Sequence, residues 1–380
     1  MGSALEQSQD IVGKGPAVYH GEVVYIHAFD VAYEMIREPG RELLGQPVVQ
    51  FVAEISKHHP EQLMFYLPKM IHMPEVERIG PDGSVRIQRT VKILPIGALS
   101  ITVRVPFKAA SLEELIAFHN LRFSRGSLYD EVRELAAQVR RELAPCYKQP
   151  VETIRDEEDY TVFCIASELT NATGEPIAAP EWLKENRRAV KALLSEEKRP
   201  ERISKQAIDE VCDKAVSYYD RDVVVLDWDA ALIADEPKSF DEVLHIMELA
   251  TVQLVELEAY DRNLDEALND SYRDIAESRL GKRRLISELS EIRIDMARLS
   301  DEVQNISKFF GDWHLARLYQ RISERFHLSD WNRAIFQKLK TVSELYEMLK
   351  HDRENRWMLI LEAMIVGLFI MDLVLIFMMG

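Results

Sequence analysis

The sequence predicts an α+β domain followed by a long helical hairpin or coiled-coil stalk and one C-terminal transmembrane helix. Three observations predict it. Alternating apolar runs are interleaved with helical periodicities up to about residue 235, apolar residues recur at heptad spacing after residue 281, and the chain closes on a nearly unbroken apolar stretch. These divide it into a flexible arm (1–16), an α+β domain (17–235), a helical stalk (236–356) and a membrane anchor (357–380).

The arm, MGSALEQSQDIVGKGP, has acidic residues and no apolar core, so it is not a secretory signal. GEVVYIHAFDVAYEM then reads as a strand followed by a helix. Val85, Ile87, Val91 and Ile93 alternate with polar neighbours, and after LPIG the residues Leu99, Ile101, Val103 and Val105 alternate again. Period-two alternation of this kind marks half-buried strands, and PDGS at 81–84 has turn chemistry, so a meander is expected. Helices are expected near 111–120, at 127–144 before Pro145, near 181–195 and near 203–216. A strand is expected at 160–168 and a second over Val223–Ala234. Strands in a meander mixed with helices favour α+β over a doubly wound sheet.

From 239 a long helix is expected, with Ser239 and Glu242 spaced as a capping box. Leu285, Ile292, Leu299 and Ile306 fall seven apart, and Leu289, Met296, Val303 and Phe310 form a second series, the seam of a coiled coil. Gly311 supplies a helix stop. Ile335, Leu339, Val342, Tyr346 and Leu349 make a second seam, so the two can fold back as a hairpin or pair with another chain.

Met358–Gly380 spans 23 residues, roughly 34 Å as a helix, against a hydrocarbon core of about 30 Å. Its thirteen Leu, Ile, Val and Phe residues contribute about −6 kcal/mol, and a carboxylate near the middle costs about 3 kcal/mol. The sum favours insertion. Lys350, Arg353 and Arg356 flank the N-terminal side, which places the bulk of the chain in the cytosol, or in the mitochondrial matrix if the protein is organellar. The lipid bilayer is then one partner, and self-association or a protein partner through the stalk is another.

Composition narrows the chemistry. The net charge of −17 repels phosphate backbones, so direct contact with nucleic acid is not expected. Cys146, Cys164 and Cys212 lie far apart, without Cys-x-x-Cys, which excludes a disulfide framework and a zinc site. No cofactor and no metal is expected. VVVLDWDAA places Asp227 and Asp229 as Asp-x-Asp after an apolar strand, the pattern of haloacid-dehalogenase-like phosphatases. A membrane-tethered, magnesium-dependent phosphohydrolase is therefore the alternative function. Those enzymes use Gly and then Thr or Val after the second Asp, where this chain has Ala230 and Ala231. Long helices, not further strands, follow. The favoured reading of Asp227 and Asp229 is a strand end on solvated or paired carboxylates, and no catalytic residue is assigned.

His58-His59 before Pro60 reads as a polar loop. GKG at 13–15 lacks the spacing of a phosphate loop, HIMEL at 245–249 is not His-Glu-x-x-His, and GKRRL at 281–285 with Arg279 is expected to pair with neighbouring acids. Glu362 and Asp372 stand out because ionised carboxylates in lipid are costly. Ten residues apart, they differ by about 80° around a helix, so one sector can hold both as intramembrane contacts between helices.

LEAMIVGLFIMD, Leu361 to Asp372, resembles the C-terminal signature of the required-for-meiotic-nuclear-division family, with Glu362, Met364, Ile365, Val366 and Asp372 matching and Ala363 replacing the usual aromatic. Upstream, Leu318-Tyr319, Lys338-Leu339 and Leu345–Leu349 resemble its helical region. The resemblance implies an α+β domain, a helical hairpin and one transmembrane helix, with eukaryotic relatives in the mitochondrial inner membrane supporting translation. It transfers no catalytic residue. The expected function is a tail-anchored scaffold or tether that presents a cytosolic domain, in support of translation or membrane biogenesis.

Overall fold

The computed structural model describes residues 19–51, 68–80, 83–123, 126–166, 168–171, 173–276 and 313–379. The main sheet has eight strands: β1 (Tyr19–Asp30), β2 (Val49–Gln50), β3 (Lys69–Gly80), β4 (Gly83–Ile93), β5 (Ala98–Ala109), β6 (Glu157–Ile165), β7 (Val223–Leu226) and β8 (Ala230–Ala234). Their spatial order is β7-β8-β6-β1-β5-β4-β3-β2. The alternation read at 85–93 and 99–105 becomes the β4–β5 hairpin, with Ile93 opposite Leu99. At its turn Gly97 has φ +96°, and a Cβ there would sit 2.0 Å from the Ala32 carbonyl oxygen. Only glycine fits that approach.

Helices α1 (Leu112–Leu115), α2 (Leu128–Leu143), α3 (Ala179–Leu194) and α4 (Lys205–Cys212) pack against the sheet. Ser127 and Asp130 close a capping box at the start of α2, which satisfies amides that the first turn leaves without helical partners. Val132, Leu135 and Val139 of α2 and Trp182, Val190 and Leu193 of α3 share one apolar core with Val23, Tyr25, Ile101, Val103, Phe163 and Leu232. Those sheet residues are two apart along each strand and so lie on one face. The opposite face carries Val24, Ile26, Tyr160, Val162 and Cys164, also buried.

Two expectations are corrected here. The stretch Val223–Ala234 is not one strand but a hairpin, β7 and β8, with Leu226 opposite Ala231. Strand β8 runs parallel to β6, reached through α3 and α4, while the other pairings are antiparallel. The N-terminal part is thus an α/β domain with a mixed sheet, not the α+β domain predicted. Alternation within one strand reports its faces but not the direction of its neighbour, so sequence periodicity could not distinguish the two.

The chain divides into two compact units, one of residues 1–255 and 307–326 and the other of 256–306 and 327–380. The first holds the sheet, helices α1–α4, the opening turns of α5 (Phe240–Ala276) and α6 (Trp313–Arg325). The second holds the rest of α5 and α7 (Leu328–Met379). In it Leu257, Leu264, Ile335, Leu339 and Val342 are buried, and Lys338 of α7 bonds Asp261 at 2.7 Å and Asp265 at 2.8 Å on α5.

The stalk and the anchor are corrected as well. No long coiled-coil stalk is present among the described residues. The first heptad series, Leu285 to Phe310, lies outside them, as do Gly311, the basic cluster at 279–285, His58-His59 and GKG at 13–15. The second seam meets α5 at the Lys338 ion pairs. No helix among the described residues is long and apolar enough to cross a membrane. Helix α7 runs on to Met379, and Glu362 interrupts its apolar stretch. The single-pass placement, the tail anchor, the cytosol-or-matrix orientation and the bilayer as partner rested on that span and fall with it.

Candidate functional site

The hairpin between β7 and β8 turns at Trp228-Asp229, where the Asp227 amide donates to the Ala230 carbonyl at 2.8 Å. Asp-x-Asp is here turn chemistry: short polar side chains that bond nearby backbone. Tyr160 of β6 donates its hydroxyl to the carbonyls of Asp227 and Ala230, both at 3.1 Å, and locks the turn to the sheet.

The Asp227 carboxylate points inward. Lys191 of α3 bonds its Oδ2, Arg325 of α6 bonds its Oδ1, and the Trp228 amide donates to Oδ1 at 2.9 Å. The three charged side chains are 4% (Asp227), 13% (Lys191) and 19% (Arg325) exposed. Burial works against the charge on Arg325, but Asp227 and then Glu210 outweigh it and raise its pKa further. Burial, with the Asp227 charge added, pushes the Tyr160 hydroxyl well above its usual range. The cluster is an electrostatic clasp that joins α3, the hairpin and α6.

Asp229 takes a different place. Its carbonyl accepts from the Thr161 amide at 3.1 Å. Burial, then the neighbouring Asp229 charge, raises the pKa of Asp159. The two aspartates do not converge on one point, and among the described residues no group of three or more His, Cys, Asp or Glu side chains could hold a metal ion. Glu362 is exposed on α7, while the side chains of Asp372, Lys350, Arg353 and Arg356 lie outside the described residues. The expected contact of Glu362 with Asp372 therefore lies outside the described residues.

A second polar cluster was missed by the sequence reading. Glu248 of α5 is only 6% exposed. Lys92 of β4 bonds its Oε2, and the Ser100 hydroxyl of β5 donates to its Oε1 at 2.5 Å. His245 lies one helical turn before, its Nδ1 3.7 Å from Glu248. Burial disfavours the carboxylate, but Lys92 and then His245 outweigh it and hold Glu248 well below the usual carboxylate range. Lys92 also stands 3.8 Å over the Phe51 ring, which packs against His245. These groups border a groove of about 790 Å³ with Gln88, Thr90, Thr102 and Arg104 along the sheet and Asp241 and His245 along α5.

The groove is of a size that takes a small polar ligand or a peptide segment. Its buried charges neutralise one another, so it can bind through hydrogen bonds. The signal in the sequence was a charged residue on an apolar stripe, Leu244, Met247, Glu248, Thr251 and Val255. A carboxylate at such a position needs a buried cation.

Fold and site define a mixed-sheet α/β domain with helices on its faces and ion-paired carboxylates at its hairpin and groove. The family described as Uncharacterized protein MJ0711, N-terminal domain, matches residues 20–241, and the chain belongs to it. A relative, the Uncharacterized protein MJ0711 of Methanocaldococcus jannaschii, is 28% identical over 221 residues, which is 57% of this chain. The match covers 65% of the relative, just under two thirds of its length. Asp222, Asp227 and Asp229 fall within the matched residues. Leu361–Asp372 lies beyond the residues of the family match.

Proposed function

We propose that the protein is an assembly scaffold, which joins copies of itself through the apolar end of α7 and carries the α/β domain as its binding module. The observation that carries this reading is the row of large apolar side chains from Trp357 to Leu375. The described ones are between 47 and 70% exposed. Over that length a helix runs about 27 Å. An ordinary monomer's largest apolar patch is only about 300–600 Å². Burying each such side chain stabilises by about 1.5–3 kcal/mol, so pairing with the same helix of another copy is strongly favoured. Glu362, within this row, is placed to bond across such a contact.

The scaffold is preferred over a phosphohydrolase because both oxygens of Asp227 are held by Lys191, Arg325 and a backbone amide. A nucleophile needs a free lone pair facing substrate.

Sedimentation velocity of the full chain, compared with a chain lacking residues 357–380, tests the reading. The full chain should be oligomeric and the shortened chain monomeric with an unchanged far-ultraviolet spectrum. A monomeric full chain would overturn it. So would flotation of the full chain with phosphatidylcholine vesicles through the same segment without self-association.

A further inference from the structure

The two tyrosines and the tryptophan that bracket the hairpin are strongly exposed: Tyr218 by 54%, Tyr219 by 69% and Trp228 by 52%. Trp313, which opens α6, is 69% exposed. Large aromatics this exposed add little to the core, yet the protein holds these in fixed positions. The buried Asp222 accepts the amides of Tyr218 at 2.7 Å and Tyr219 at 2.9 Å. Tyr218 packs edge-on against Tyr219 and lies 5.3 Å from the ring of His314. The Trp228 amide is tied to Asp227, whose carboxylate is itself clasped from both sides.

Helix α6 links the two ends, about 18 Å long for its span. Arg317, Arg321 and Arg325 follow at steps of four and so share one face. Arg317 lies over the Trp313 ring at 5.6 Å, and Arg325 over Trp228 at 6.0 Å. Aromatic rings therefore stand at both ends of a row of arginines. Tyr, Trp and Arg are the residues that dominate binding at protein interfaces, and a surface fixed before contact loses little entropy on binding.

We propose that this face docks an acidic, partly apolar segment of a partner protein. Charge selects that occupant. Among the described residues Arg317 has no ion-pair partner, and Arg321 meets only the exposed Glu324, three residues on, a pair of little strength. Arg325 is committed to Asp227 and Glu210. Two available cations suit one or two carboxylates. They are too few for a nucleic-acid backbone, which needs several. The apolar groups of the segment would cover Trp313, Tyr219 and Trp228. On this reading the Asp227 clasp is a positioning device for Trp228, which gives the Asp-x-Asp motif a role without chemistry.

The test uses the full chain and three fluorescein-labelled probes read by anisotropy: a peptide alternating Glu with Leu, one alternating Lys with Leu, and oligothymidine. The Glu–Leu peptide should bind saturably and the Lys–Leu peptide should not. Arg317→Glu, at a half-buried position, and Trp313→Ala, at an exposed one, should each weaken binding at least tenfold, while Arg317→Lys retains most of it. Sedimentation should be the same in all three variants, which separates this face from assembly through α7. The proposal is overturned by absence of saturable Glu–Leu binding, by equal affinity in Arg317→Glu, or by oligothymidine binding more tightly than the peptide.

Discussion

Replacing Asp227 with Ala removes the shared anion of a buried cluster and leaves Lys191, 13% exposed, without a counter-charge. Arg325 keeps Glu210 at 2.9 Å, so the loss falls mainly on Lys191 and on the Trp228 amide. Breaking a buried pair by removing one partner costs about 3–5 kcal/mol, because a charge stays behind in low dielectric. Lys191→Met is the informative contrast. It takes away a cation but leaves Asp227 bonded by Arg325 and by the Trp228 amide, and the methionine fills the same volume. Its cost should be about 1–2 kcal/mol. Urea unfolding followed by far-ultraviolet circular dichroism measures both, given that a folded domain is stable by only about 5–15 kcal/mol. Lys191→Met costing as much as Asp227→Ala would refute the reasoning, since Asp227 would then depend on Lys191 alone and the three-way clasp would not exist.

Two further predictions concern pH. His27 is buried, and burial lowers its pKa from 6.5 to about 4. The unfolded chain therefore takes up the proton first, so stability should fall as pH drops from about 6.5 to about 4, by roughly 3 kcal/mol over the whole window; His27→Phe should flatten that slope in melting curves taken between those limits. Glu248 is also shifted down, held below the usual carboxylate value of 4.5 by Lys92 and His245 in spite of burial. Its stabilisation is present above about pH 4.5 and is lost as pH falls further. Glu248→Gln should remove that acid-side loss while costing about 3–5 kcal/mol at neutral pH through the stranded Lys92, and an unchanged acid limb would count against the buried pair.

What was legible in the sequence was local. The β4–β5 hairpin announced itself because alternate residues along a half-buried strand face opposite sides. Helices α2, α3 and α4 did so because an apolar stripe at helical spacing is visible within one segment. The exposed apolar row on α7 was equally plain as composition. Its surroundings were not: hydrophobicity alone led to a membrane span, which the described helix does not support.

Longer-range relations were hidden. Asp227 meets Lys191 and Arg325 across 36 and 98 residues of chain, and Glu248 meets Ser100 and Lys92 across 148 and 156. Charge pairing carries no period and leaves no spacing to count, so Asp-x-Asp resembled a catalytic strand end until its partners arrived from other elements.

By itself, then, the amino-acid order determined where strands and helices form and which of their faces are apolar, because both follow from the geometry of neighbouring residues. Only the tertiary structure decided that β8 lies parallel to β6, that a two-residue turn breaks Val223–Ala234, and that the carboxylates there are neutralised. Each of those outcomes depends on which distant groups are brought within a few ångströms of one another, and that is a property of packing.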